Sequence, residues 1–184
     1  MNLIKIPALA EDGSVHCIVE TPRGSKAKFY YDAEMKLFAM SKSLHVGLSY
    51  PYDWGFIPST VGGDGDPLDV MIVHSAATFP GMLLLCNIIG VLKMNDVRKS
   101  KKARNDRLFV VPLGSHTNHN LKDVRELSEA LRTELEAFFA ATNALKEKDI
   151  EVLGWESAKE ARSILDEAMA TFAKKKGASK SEGK

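Results

Sequence analysis

Between Ser43 and Leu92 the chain runs for fifty positions without a lysine, an arginine or a glutamate. Its only charged residues there are Asp53, Asp64, Asp66 and Asp69. Most of what remains is apolar, broken by glycine and proline. Leu68–His74 and Leu83–Met94 read as strands, parted by Phe79-Pro80-Gly81. Upstream, the β-branched run Val15–Thr21 is broken by Pro22-Arg23-Gly24-Ser25, and Lys28–Asp32 follows at hairpin distance. Leu37–Met40 and Arg107–Pro112 add two more short runs. Short strands with Gly/Pro turns at this spacing predict a barrel or a sandwich rather than a parallel sheet. Leu44 to Gly63 reads as a long irregular segment, packed through Tyr50, Tyr52, Trp54 and Phe56.

The last third changes period. Val124, Leu127, Leu131, Leu135, Phe138 and Phe139 fall on one helical face. A short strand is expected at Ile150–Leu153, ending at Gly154-Trp155. Ser157-Ala158-Lys159-Glu160 then reads as a capping box, with an apolar stripe at Ala161, Leu165, Ala168, Met169 and Phe172 behind it. These patterns predict an α+β, mainly β chain with two C-terminal helices. A single domain is expected over residues 1–176, and residues 177–184 read as a basic disordered tail.

Bulk charge selects no partner, because the net charge is +1. Local charge is uneven: Lys93 to Arg107 holds seven Lys or Arg against Asp96 and Asp106. That segment reads as a loop from Asn95 to Asp106, and as a solvated excursion unless its cations find a ligand. Cys17 and Cys86 lie in apolar runs and read as buried thiols. The N-terminus lacks the pattern of a signal peptide and no apolar run is long enough to span a bilayer, so the cytoplasm is expected.

Three of the four isolated aspartates sit in Asp64-Gly65-Asp66-Pro67-Leu68-Asp69. Two carboxylates ~5 Å apart at an effective dielectric of ~20 repel by about 3 kcal/mol. Asp, Gly and Pro also make ordinary turns, so a D-x-D alone says little. Here the third carboxylate opens an apolar strand, which is hard to read as solvent decoration. A hard divalent cation with oxygen ligands would supply the missing positive charge. An EF-hand is excluded, because its sixth and twelfth positions would be Asp69 and Ser75. A dehalogenase-type D-x-D would follow an apolar strand, whereas Thr60-Val61-Gly62-Gly63 precedes this one. Aromatics beside carboxylates rather than cations argue against nucleic-acid binding. His116 and His119 read as a surface pair.

With these residues stand others in fixed order: Tyr50-Pro51, Trp54-Gly55-Phe56-Ile57-Pro58, Phe79-Pro80-Gly81, Gly90–Asp96, Val110-Val111-Pro112 and Gly154-Trp155-Glu156. Together with the D-G-D-P-x-D hexapeptide, from about Val15 to Phe172, they resemble the family I soluble inorganic pyrophosphatases of the short bacterial type. The resemblance implies a small closed OB-like β-barrel with helices packed outside, usually a hexamer. It implies hydrolysis of pyrophosphate to two phosphates with several Mg2+ ions, or Mn2+ in their place. By the same resemblance Asp64, Asp66, Asp69 and Asp96 are metal-binding carboxylates, and Asp66 also orients or deprotonates the attacking water. Glu20 matches a metal-associated glutamate, Lys28 a phosphate-binding lysine, and Tyr50 a tyrosine that braces the site.

The chain departs from that pattern within the site. Tyr30 stands where the family has Glu, Lys42 where it has the phosphate-binding Arg, Trp54 where it has Tyr, and Asp53 where it has Asn. Asp96-Val97 replaces Asp-Glu, and Asn105-Asp106-Arg107 replaces Asp-x-Lys. Asn105 is aligned with the metal position, although a one-residue shift would bring in Asp106; Arg107 is aligned with the substrate-binding cation. Thr142-Asn143 replaces a Tyr-Lys pair. The leading expectation is a weakened inorganic diphosphatase. The alternatives are a hydrolase for a different phosphorylated substrate and a non-catalytic homologue that binds metal or phosphate. Arg98, Lys99, Lys101, Lys102 and Arg104 are candidates to replace the missing clamps.

Overall fold

A computed structural model describes residues 2–99, 101–116, 118, 120–144 and 149–181. Nine strands and two helices follow in order: β1 Val15–Thr21, β2 Ala27–Asp32, β3 Leu37–Ser43, β4 Asp53–Ile57, β5 Leu68–Ile72, β6 Leu83–Arg98, β7 Lys101–Arg104, β8 Arg107–Pro112, α1 Glu129–Ala144, β9 Asp149–Ser157 and α2 Ala158–Ser181. Single 3-10 turns lie at Leu3–Lys5 and Val124–Glu126. The fold is mainly β with two helices, as the sequence predicts.

Strand pairing runs in a ring. β1 pairs antiparallel with β4, and β4 with β5. β5 pairs parallel with β8, which pairs antiparallel with β6, and β6 returns to β1. The 16-residue β6 is the spine. Its first half closes the ring, and its second half carries β9 on one edge and β7 on the other. β2 and β3 form a separate hairpin. Ring closure removes the unpaired edges that invite aggregation. It also needs close approach: a Cβ on Gly55 would stand 1.9 Å from the Ile18 carbonyl oxygen, so only glycine fits in β4 there.

Period-two alternation sorts the ring into two faces. Val15, Cys17 and Val19 of β1, Leu68, Val70 and Ile72 of β5, Val91 of β6, and Leu108 and Val110 of β8 form one buried cluster. Ala161, Leu165 and Ala168 of α2 pack into it, as the predicted stripe requires. The opposite face carries Trp54, Met71, Leu92, Met94, Phe109 and Val111, against Leu135, Phe138 and Phe139 of α1. Cys17 and Cys86 are both buried and free on the α2 side, and burial pushes the Cys17 thiol up.

Several expected boundaries move. β4 lies inside the segment read as irregular. All five of its residues are buried, so it lacks the half-exposed alternation that marks a strand in sequence. The basic loop is a β-hairpin of late β6 and β7 rather than an irregular excursion. Val124 and Leu127 precede α1, because Ser128 caps the helix: its Oγ accepts from Leu131 N at 3.2 Å. At α2, Ser157 Oγ accepts from Glu160 N at 3.4 Å, but the Glu160 carboxylate leaves the capping box to pair with Lys93. α2 runs through residue 176 to Ser181, and residues 182–184 lie outside the described residues.

Candidate active site

The face opposite α2 collects the chemistry, and alternation is the reason. On β1, Val19 faces α2, so Glu20 turns the other way, as Ile18 does. On β5, Leu68 and Val70 face α2, and Asp69 turns the other way with Met71. On β8, Arg107 shares parity with Phe109 and Val111; on β6, Asp96 follows Leu92 and Met94. Four strands therefore bring Glu20, Asp69, Asp96 and Arg107 to one surface.

The loop before β5 adds Asp64 and Asp66. Gly65 takes a positive φ of 94° at its tip. Gly62 N donates to Asp66 O at 2.7 Å, and Asp66 N donates to Asp64 Oδ1 at 3.2 Å. Thr60 Oγ1 clamps the stem, donating to Ile57 O at 2.6 Å and accepting from Leu68 N at 2.9 Å. The loop lies against β7: a Cβ on Gly63 would meet the Arg104 carbonyl oxygen at 2.6 Å.

Electrostatics show how poorly the carboxylates are compensated. Burial pushes the Asp64 carboxyl up, and Asp69 and Asp66 push it in the same direction. Glu20 is buried, with a pKa pushed up to about 7. Burial is the main cause there, opposed by the hydrogen bond from Tyr31 N at 2.8 Å and by Lys28, and reinforced by Asp69 and Asp66. Glu20, Asp66 and Asp69 line one cavity of about 310 Å³ with Lys28 and Tyr30.

Cations adjoin this cavity. Lys28, Lys42 and Arg107 line a narrow second cavity of about 40 Å³ with Tyr50, Trp54, Thr142 and Asn143. Lys28 belongs to both cavities and links them. Lys28 and Lys42 stand directly opposite on β2 and β3, an unfavourable like-charge pair. Their ammonium groups have different neighbours: Lys28 Nζ is 5.5 Å from the Trp54 ring centroid, and Lys42 Nζ donates to the Thr142 carbonyl at the end of α1. The Arg107 guanidinium lies 5.1 Å from the same indole centroid and pairs with Asp69. It also donates to Asn105 Oδ1, and Asn105 Nδ2 donates to Asp96 Oδ2 at 3.0 Å.

Those contacts order the sequence alternatives. Asn105, not Asp106, stands beside Asp96. Asp106 turns to the other side, where its Oδ1 accepts from Met94 N at 3.1 Å and Arg104 Nε at 2.6 Å. Tyr50 is buried edge-on against Phe138 with ring centroids 5.1 Å apart. Burial, then Asp69 and Glu20, push its phenol well up, so it stays protonated and serves as a donor. Thr142 Oγ1 donates to Phe139 O at 3.0 Å rather than toward the cavity. His119 lies outside the described residues.

One group was missed in sequence. Asp53 is fully buried and accepts from His74 Nε2 at 2.7 Å, Thr78 Oγ1 at 2.6 Å and Arg23 N at 2.7 Å. Burial pushes its carboxyl up, but these hydrogen bonds outweigh it and hold the group below its ordinary value. It anchors the start of β4 directly before Trp54. Sequence showed it as a lone aspartate among aromatics, standing where the resembled family has Asn; its side-chain partners are 21 and 25 residues downstream.

Among the described residues, no three His, Cys, Asp or Glu side chains form a compact metal cluster. Asp69 engages Arg107 and Asp96 engages Asn105, while Glu20 and Asp64 are held up in pKa by burial and neighbouring negative charge. Hard oxygen donors carrying unrelieved negative charge fit a divalent cation. Carboxylates on one side and cations on the other, joined through Lys28, define the chemistry of a phosphoryl-transfer site.

Similar proteins sharpen that class. The family model described as inorganic pyrophosphatase matches residues 17–173. The inorganic pyrophosphatase of Synechocystis is 33% identical over 172 residues, covering 94% of this chain and 99% of its own length. The crystal structure of the Thermus thermophilus inorganic pyrophosphatase superposes with a TM-score of 0.86 at 29% identity, covering 94% of this chain and 99% of that one. The Neisseria gonorrhoeae enzyme superposes with a TM-score of 0.82 at 28% identity, over 94% and 98%. This chain belongs to the inorganic pyrophosphatase family.

Proposed function

We infer that this chain hydrolyses inorganic pyrophosphate to two phosphates, with Mg2+ as the working ion. The observation that carries the reading is the shared wall at Lys28, where a cavity lined by three cations meets one lined by carboxylates. Pyrophosphate with bound metal needs both. Two further details support it. Trp54 Nε1 and Arg107 Nε are buried and have no hydrogen-bond acceptor among the described residues, and both residues line the cation cavity. Buried donors left unmade are costly, and phosphoryl oxygens are acceptors.

Asp64, Asp66, Asp69, Asp96 and Glu20 would hold the metal, with the Asn105 amide oxygen as a neutral donor. Bound Mg2+ would neutralise phosphoryl charge and make a water nucleophilic near neutral pH. Asp66, on the loop tip with its amide tied to Asp64, orients that water and accepts its proton. Lys28, Lys42 and Arg107 hold the phosphoryl oxygens, and the Tyr50 hydroxyl donates from the floor of the cavity. Thr142 bonds its own helix and Asn143 carries no charge, so this wall gives less stabilisation to the departing phosphate. A reduced turnover belongs to the reading for that reason.

The same reading includes a homohexamer, which the family resemblance implies, and the cytoplasmic setting expected from the sequence. Light scattering at micromolar concentration tests the assembly, and a monomer throughout would refute it. Phosphate release from pyrophosphate, with Mg2+ or with chelator, tests the activity. Release that requires Mg2+ supports the reading; no release with Mg2+, Mn2+ or any other divalent ion overturns it.

A further inference from the structure

The hairpin of late β6 and β7 has two unlike faces. Register pairs Asn95 with Arg104, Asp96 with Ala103, Val97 with Lys102 and Arg98 with Lys101. Directly paired residues of antiparallel strands project to the same side, and the side alternates along the strand. One face therefore presents Asn95, Lys102 and Arg104. Its charge is consumed internally: Lys102 Nζ lies 2.7 Å from Glu151 Oε1, Asn95 Nδ2 is 2.8 Å from Glu151 Oε2, and Arg104 is held by Asp106. The other face presents Asp96, Arg98 and Lys101. Asp96 on this face is linked through Asn105 to Arg107, and through Arg107 to Asp69, by the contacts described above.

 The Arg98 and Lys101 side chains are exposed, and among the described residues neither has an ion-pair partner. Strands rise about 3.3 Å per residue, so Arg98 starts roughly 7 Å beyond Asp96, within reach of an extended arginine.

We propose that Arg98 and Lys101 bind the phosphoryl group of the substrate at the hairpin side of the site, supplying positive charge that Asn143 does not. The inference rests on the pyrophosphatase reading and narrows it to two residues. Lys102 and Arg104 are excluded by their face and by their existing partners. Both proposed residues act as point or forked charges on a dianionic group, so they strengthen substrate binding and steady the charge that builds on the departing phosphate.

The test uses the full-length chain with Arg98→Ala and Lys101→Ala combined, and Lys102→Ala as the control on the opposite face. Two readouts are taken: Mg2+-dependent phosphate release, and calorimetric binding of imidodiphosphate, a non-hydrolysable pyrophosphate analogue. The double variant is expected to bind the analogue about tenfold more weakly and to show a raised KM with a smaller fall in kcat. Lys102→Ala is expected to match the wild type in both. A double variant that binds and turns over like the wild type overturns the inference and leaves the pyrophosphatase reading intact. A wild type that binds the analogue through Arg98 and Lys101 but releases no phosphate overturns that reading and upholds the inference. Equal losses in the double variant and Lys102→Ala would show a general charge effect and overturn the assignment to one face.

Discussion

The carboxylate side and the cation side of the site are held in opposite ways. Asp64 and Glu20 are pushed up by burial and by neighbouring carboxylates, and only part of that charge is offset within the protein. On the cation side each group already has a partner: Lys28 lies over Trp54, Lys42 donates to the Thr142 carbonyl, and Arg107 pairs with Asp69. The first side gains from an added cation. The second side must exchange existing contacts for phosphoryl oxygens, which reduces the net gain on binding. The contrast teaches that metal affinity and phosphate affinity can be altered separately in this chain.

Asp66→Asn should separate the two sides most strongly. It removes the group assigned to the attacking water and one negative charge together. Phosphate release should fall by roughly 10³-fold or more. Stability without metal should hold or rise, because repulsion is relieved. Wild-type activity in this variant would refute the role given to Asp66.

Arg107→Ala acts on both sides at once. It removes the proposed phosphoryl contact and leaves Asp69 without its guanidinium. Turnover should drop by about 10²-fold, and Mg2+ should bind more tightly because a competing cation has gone. If Mg2+ binding weakens instead, Arg107 organises the carboxylates rather than competing for them. Steady-state kinetics and calorimetry on one preparation separate the two results.

Asp53 is a carboxylate outside the site whose charge is met within the protein. Its folded-state pKa lies below the ordinary 3.8, so its stabilisation is fully present above that value and is lost as the pH falls through the lower folded value. Asp53→Asn should cost about 1–3 kcal/mol at neutral pH. The gap between wild type and variant should narrow below about pH 3.8. Urea unfolding from about pH 2.5 to about pH 7, which brackets the ordinary carboxylate range of about 3.9 to 4.3, would show it. A gap independent of pH would mean that shape rather than charge anchors β4.

The smallest expected change is a gain. Asn143→Lys returns a cation to the end of α1 and should raise kcat by about threefold to tenfold, with less effect on KM. No gain would mean that the hairpin already supplies that charge.

Much of this was legible in the sequence, and the failures have physical causes. The helix stripe at Ala161, Leu165 and Ala168 was readable because it buries one face, and β5 was readable as a short apolar run between turn residues. β4 was not readable, because Asp53–Ile57 is buried throughout and carries no alternation. The β6–β7 hairpin was hidden by its lysines and arginines, which are weak strand formers but suit a charged edge. The hexapeptide placed Asp64, Asp66 and Asp69 directly. The choice between Asn105 and Asp106 turned on strand parity, which a loop of uncertain length cannot reveal. The Asp53–His74 contact joins residues far apart in sequence and needs the folded ring to appear.

The proposed role of Mg2+ requires a carboxylate side that is electrostatically incomplete until a divalent cation binds. Chemical unfolding of the wild type and Asp66→Asn, with Mg2+ or with chelator, tests it most directly. Saturating Mg2+ should stabilise the wild type, by about 2.7 kcal/mol at a hundredfold excess over Kd, and Asp66→Asn should lose most of this shift while being no less stable in chelator. A wild type whose stability is indifferent to Mg2+, or a variant that keeps the full shift, would contradict it.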